Sequence, residues 1–310
     1  MQSYEYEYNG FTINFIDSRD GSSSSTAACS SPRRKATIAV QRASGFTAPE
    51  IRHSQSIIAG NHGTVDHLSY VGGRIITLEG VIHGQNDVET LELMEDLNRY
   101  WNLPSVPTPD NRGYSQLGFA KDGQVAKYVN AKIHSLPSID RDLHTRNTYR
   151  FQVQFRCEDP RIYSKIEKTQ SLVKAVPKSG FPTYFPKLFG VTGYNNENTI
   201  ENIGNWAAPL NYTITNNGIL DVIVPRLTNV TSGTYQEFNM TIAPSDSITI
   251  DSVAGTAVDQ DGNNILKYET NDSNWLYVNP RSIDTFRLTC DYGNPTVVLT
   301  FNDTWISAPR

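Results

Sequence analysis

From Tyr149 to Cys157 the side chains alternate without a break. Tyr149, Phe151, Val153, Phe155 and Cys157 fall on one side, and Arg150, Gln152, Gln154 and Arg156 on the other. A period of two with one apolar set is a β-strand with one buried face. Burying each large apolar side chain is worth roughly 1.5 to 3 kcal/mol, so a one-residue slip, which exposes that set and buries the polar one, is forbidden. Asp159-Pro160-Arg161-Ile162-Tyr163 follows. The proline removes a ladder donor and holds Asp159 extended, which ends the strand and redirects the chain. This stretch is expected to be the floor of one domain and the exit toward a second.

The chain of 310 residues, 38% hydrophobic and 19% charged, has the length for two cores and an ordinary globular composition. Its 16 tyrosines, 16 prolines and 21 glycines point to many short strands joined by tight turns. A formal charge of -5 supplies no basic footprint for gripping nucleic acid. A passive relation, such as a channel wall that repels DNA, is compatible with it. The opening Met1-Gln2-Ser3-Tyr4-Glu5 has neither a basic nor an apolar leader region, so no secretory signal is expected. No apolar run approaches the roughly 18 residues of a membrane span, and no membrane insertion is expected. Cys29, Cys157 and Cys290 are far apart and form no CxxC; Cys157 and Cys290 continue apolar strand faces and read as packed thiols.

In chain order, Tyr4, Tyr6 and Tyr8 alternate with Glu5 and Glu7, and Asn9-Gly10 leads into Phe11, Ile13 and Phe15, a hairpin signal. Residues 17–35, with serines 22–25, lose all periodicity and are expected to form a mobile loop. Arg74 to His83 places Ile76, Leu78, Gly80 and Ile82 on one face. Asn86 stands three residues before Glu89, a capping box, and predicts a helix over 87–100 with Val88, Leu91, Met94, Leu97 and Trp101 as its packing stripe. Gln116–Phe119 and Gln124–Ile133 flank Lys121-Asp122-Gly123 as a second hairpin, and Leu136-Pro137 opens a polar excursion. The expected organisation is a first β domain over 1–163, a linker over 164–189 rich in lysine, serine and proline, and a second β domain over 190–310. In the last, turn signals such as Asn217-Gly218, Ser232-Gly233 and Asp261-Gly262 separate short strands, as in an antiparallel sandwich.

Chemistry is hard to place on this chain. It has no GxSxG, P-loop or GxGxxG. His62 and His67 around Asp66 define no coordination geometry. Asp259-Gln260-Asp261-Gly262-Asn263 imitates a calcium loop but lacks carboxylates at its first and twelfth positions, Ala257 and Tyr268, so it reads as a turn. No catalytic, cofactor or metal residues are assigned. Trp206, Trp275 and Trp305, placed with the second domain, have faces suited to sugar rings, and core packing is the competing reading of each.

The assembled pattern resembles the distal tail proteins of long-tailed phages with non-contractile tails. The resemblance rests on Gly60-Asn61-His62-Gly63, Gly73 through Gly84, the helix and Asp159-Pro160-Arg161-Ile162-Tyr163-Ser164. It continues through Asn202-Ile203-Gly204-Asn205-Trp206-Ala207-Ala208-Pro209, Thr228 to Gly233 and Asn274-Trp275. It implies a mainly β protein: an N-terminal sandwich or split barrel with one helix and a projecting hairpin, and a galectin-like C-terminal sandwich. It further implies six copies in a ring around an open channel through which DNA passes, located at the distal end of the virion tail and assembled in the bacterial cytoplasm. Its partners would be the tail tube, the tail-tip protein and receptor-binding proteins. Tyr4, Tyr6 and Tyr8, with the hairpin tip Asp122-Gly123, are the expected contacts between copies. The alternative is a module that binds cell-wall saccharide through Trp206, Trp275 or Trp305.

Overall fold

The computed structural model describes residues 4–9, 11–15, 37–57, 62, 64–84, 86–103, 114–121, 124–141, 147–173 and 196–307. The 17–35 loop and the tip Asp122-Gly123 lie outside them. The chain divides into two compact units, 1–165 with 305–310, and 166–304.

In the first unit the strands are β1 (Tyr4–Tyr8), β2 (Phe11–Phe15), β3 (Thr37–Ser44), β4 (Ile51–Arg52), β5 (Gln55–Ile57), β6 (Thr64–Asp66), β7 (Tyr70–Val71) and β8 (Arg74–His83). After the helix α1 (Asp87–Tyr100) come β9 (Ser115–Lys121), β10 (Lys127–Arg141), β11 (Thr148–Cys157) and the start of β12 (Ile162–Val173). Hydrogen bonding runs in the order β11-β8-β3-β2-β1-β9-β10 and returns from β10 to β11, so the strands close on themselves as a barrel. Closure is made possible by β10, which pairs with β9 from Lys127 to Ala131 and with β11 from Lys132 to Arg141. Register shifts between Ile133, Ser135 and Ser138 bend it, and Pro137 is carried in this irregular stretch, so the strand continues where a polar excursion was expected.

The alternating strand is β11, with Phe151, Val153, Phe155 and Cys157 buried, and β8 buries Ile76, Leu78 and Ile82 against it. The Trp101 ring meets Phe155 edge-on at 5.4 Å. The helix bounds match the expectation, and its cap is real: the Glu89 amide donates to Asn86 Oδ1 at 2.8 Å. Its buried side differs. Thr90, Leu93, Leu97 and Trp101 face the core, while Val88 and Leu91 are 67% and 56% exposed. Thr90 can be buried because its hydroxyl donates to the Asn86 carbonyl at 2.8 Å, leaving no unpaired polar group.

The expected linker begins differently: 164–173 is strand, the continuation of β12, and Leu172 belongs to the second core. The second unit holds β13 (Glu197–Asn202), β14 (Ala208–Pro209), β15 (Asn211–Asn216), β16 (Val222–Ile223), β17 (Arg226–Asn229), β18 (Tyr235–Glu237), β19 (Thr241–Ile242), β20 (Ser247–Asp251) and β21 (Thr256–Asp259). It ends with β22 (Tyr277–Val278), β23 (Ser282–Thr289) and most of β24 (Pro295–Trp305). Here β24-β15-β20-β21 form one antiparallel layer and β13-β23-β17-β18 the other, enclosing a core that includes Tyr212, Phe238 and Phe286. The expected strand over 221–226 is split: Val224 sits at φ +48° between β16 and β17. A β-branched residue pays for this conformation only where the fold imposes it.

Candidate assembly surfaces

Tyr6 and Tyr8 are buried inside the barrel, and β1 is paired on both edges, to β2 and to β9. The inward phase of a strand takes these rings out of reach, which corrects their expected role as contacts. The Tyr4 side chain and Asp122-Gly123 lie outside the described residues. On the outward phase, Glu7 Oε2 accepts from Lys165 Nζ at 2.6 Å.

A different feature projects from the barrel. β4 pairs with β7 and β5 with β6, forming a two-stranded arm rooted where the Gly72 amide donates to the Glu50 carbonyl at 2.7 Å. Ile51 and Tyr70 are 55% and 60% exposed on it. Its polar cross-strand contacts include Ser56 Oγ with His67 Nε2 at 2.6 Å, so His67 is spent on holding the arm together. A bare two-stranded hairpin is marginal in water, and such an arm gains stability by lying on another surface.

Beside the arm root an open cleft of about 750 Å³ is lined by Glu50, Arg52, Arg74, Ile75, Arg156 and Glu158, among others. Gly45, at φ +91°, lets the loop after β3 approach the Ile75 carbonyl so closely that a Cβ would sit 2.1 Å from it. Arg74 is 4% exposed and fans its guanidinium over four carbonyls. Nη1 donates to Gly45 at 3.3 Å and Thr47 at 3.2 Å, and Nη2 to Ile306 at 2.6 Å and to Pro160. Nε finds no partner. Burial lowers the Arg74 pKa, opposed by Cys157 and Asp159. Glu158 is engaged by Lys132 at 3.2 Å, so the balance of the cleft is positive.

In the second unit, three fully buried asparagines each clamp a loop. Asn202 Oδ1 accepts from the Gly204 amide, and its Nδ2 donates to Trp206 and Val278. Asn216 does the same with Gly218, Leu220 and Ile242. Asn229 Oδ1 accepts from Thr231 and Ser232, and its Nδ2 donates to Tyr277 and to the buried Asp284. The spacing Asn-x-Gly-x-Trp/Leu is the sequence signal of the first two. Asp259 Oδ1 takes the Asp261 and Asn263 amides, the bonding of a turn. Of the three tryptophans, Trp275 packs against the second core and Trp206 is half-buried. Trp305 packs against the core of the first unit, with Lys127 Nζ 4.2 Å over its ring, rather than in the second domain where it was expected.

No family model matches the chain, and no curated protein matches it in sequence. Among solved structures, the fold is similar to that of the SPP1 Dit (gp 19.1) protein, described as a paradigm of the hub adsorption apparatus in phages that infect Gram-positive hosts. Identity is 11%, the TM-score 0.61, and 97% of this chain and 98% of that one are covered. Two structures of the phage p2 baseplate in its activated conformation, with Sr and with Ca, align over 96% of this chain at 11% and 10% identity. Their TM-score is 0.40. The SPP1 likeness establishes a shared fold, mainly β, running nearly end to end.

Proposed function

We propose that this chain is a structural component of a phage tail: a distal hub whose copies close into a sixfold ring joining the tail tube to tail-tip and receptor-binding proteins. One observation carries the reading, the match of the fold to the SPP1 hub protein over 97% of the chain. The exposed arm and the positively balanced cleft beside it agree with it, because a closed ring needs two different surfaces on each copy. The mechanism is geometric, with no turnover. The ring sets the symmetry, its lumen leaves a path for DNA, and the second unit offers a docking surface. Light scattering on the purified full chain tests it: the expected mass is six times 34.6 kDa, and a single copy at every concentration contradicts it.

A further inference from the structure

The two ends of β8 carry surfaces that complement each other and cannot meet within one chain. At its start lies the cleft, with Arg52 and Arg156 exposed beside Glu50 and Glu158, Arg74 in its wall, and Ile51, Ile75 and Tyr70 as apolar neighbours; Lys132 engages Glu158, which leaves the arginines in excess. At its end, after His83, begins α1, whose outer face presents Val88 and Leu91 beside Asp87, Glu92 and Glu95. These residues share a face because positions three and four apart are neighbours on a helix. Strand β8 has 10 residues, so at ~3.3 Å per residue about 30 Å separates its ends. The helix runs back toward the cleft, since Trp101 packs on Phe155 and Phe155 pairs with Ile76. Its first turns therefore stay at the far end.

We infer that the cleft at the root of the arm receives the first turns of α1 from a second copy of this chain. This inference rests on the ring reading and names the contact that builds it. Arginines meet carboxylates, and Val88 and Leu91 cover Ile75 and the exposed apolar residues of the arm root. Two large apolar residues on the outside of a helix are otherwise left in water. The Arg74 charge, desolvated in the wall and hydrogen-bonded to carbonyls, with Asp159 as the carboxylate acting on it, adds to the positive side of the cleft that an incoming acidic face would meet. Because donor and acceptor surfaces differ, the contact is heterologous and propagates from copy to copy, closing into a ring when the rotation permits.

The test uses full-length protein in three forms: Arg52→Glu with Arg156→Glu, Glu92→Arg with Glu95→Arg, and all four together. Each pair alone sets like charges against each other and is expected to weaken association about 100-fold or more, leaving copies of 34.6 kDa. The fourfold variant restores opposite charges and is expected to recover the wild-type mass. Circular dichroism checks that each variant is folded, and the neutral pair Arg52→Gln with Arg156→Gln, expected to weaken association about tenfold, serves if a reversal does not fold. A folded reversal that keeps the wild-type mass, or a fourfold variant that stays dissociated, overturns this pairing and leaves the ring standing. Wild-type protein that never exceeds one copy overturns both.

Discussion

Tyr163 donates its hydroxyl to Asp159 Oδ2 at 2.5 Å, closing the proline turn that follows β11. The other carboxylate oxygen of Asp159 takes the Arg161 amide at 3.0 Å, so the turn is bonded on both sides. Burial, followed by Asp159, pushes the Tyr163 pKa upward, because both disfavour a phenolate. Tyr163→Phe keeps the ring stacked on Tyr128, 5.5 Å away, and removes only the hydroxyl. A bond to a charged acceptor is worth about 1.5 to 3 kcal/mol, and that loss is expected in the midpoint of chemical denaturation.

Arg74 ties the loop after β3, the proline turn and Ile306 into one knot. Arg74→Met keeps most of the packing and strands four carbonyls. The expected cost is about 3 kcal/mol or more, read as a lowered first thermal transition.

Asn216 makes one acceptor and two donor contacts with zero exposure. Asn216→Asp preserves shape and the Gly218 bond but cannot donate to Leu220 or Ile242, and it buries a charge. A loss of about 2 to 4 kcal/mol is expected, against about 0.5 kcal/mol for the same change at exposed Asn217. Urea denaturation of the two variants makes the comparison.

Burial pushes the Cys157 thiol from 9.0 to about 12 and the Tyr8 phenol from 10.0 to about 12. Both groups bind their protons more tightly when folded. Their contribution is therefore complete below pH 9 and is lost as the pH rises toward 12. Thermal scans are expected to show the first unit weakening from about pH 9 upward, less steeply in Cys157→Ala. Cys157 is fully buried and half-buried Cys290 is not, so a thiol reagent at neutral pH is expected to label Cys290 well before Cys157.

Local patterns were legible in the sequence where the physics is local. The alternation of β11 and of β8 and the Asn86 cap needed no distant partner to be read. The helix face was misread because Val88 and Leu91 are apolar, whereas Thr90 conceals its polarity in a bond to its own cap. Arg74 stands in phase with Ile76, Leu78 and Ile82, a pattern that points its side chain to the buried face. Its four acceptors come from segments up to residue 306, and no local pattern announces them. The arm and the cleft stayed hidden for the same reason, since they exist only once distant strands close the barrel.

Electron microscopy of the purified full-length protein in negative stain tests the central claim most directly. Class averages are expected to show sixfold rings with an open lumen. Single particles of one copy, or assemblies with no central opening, contradict it.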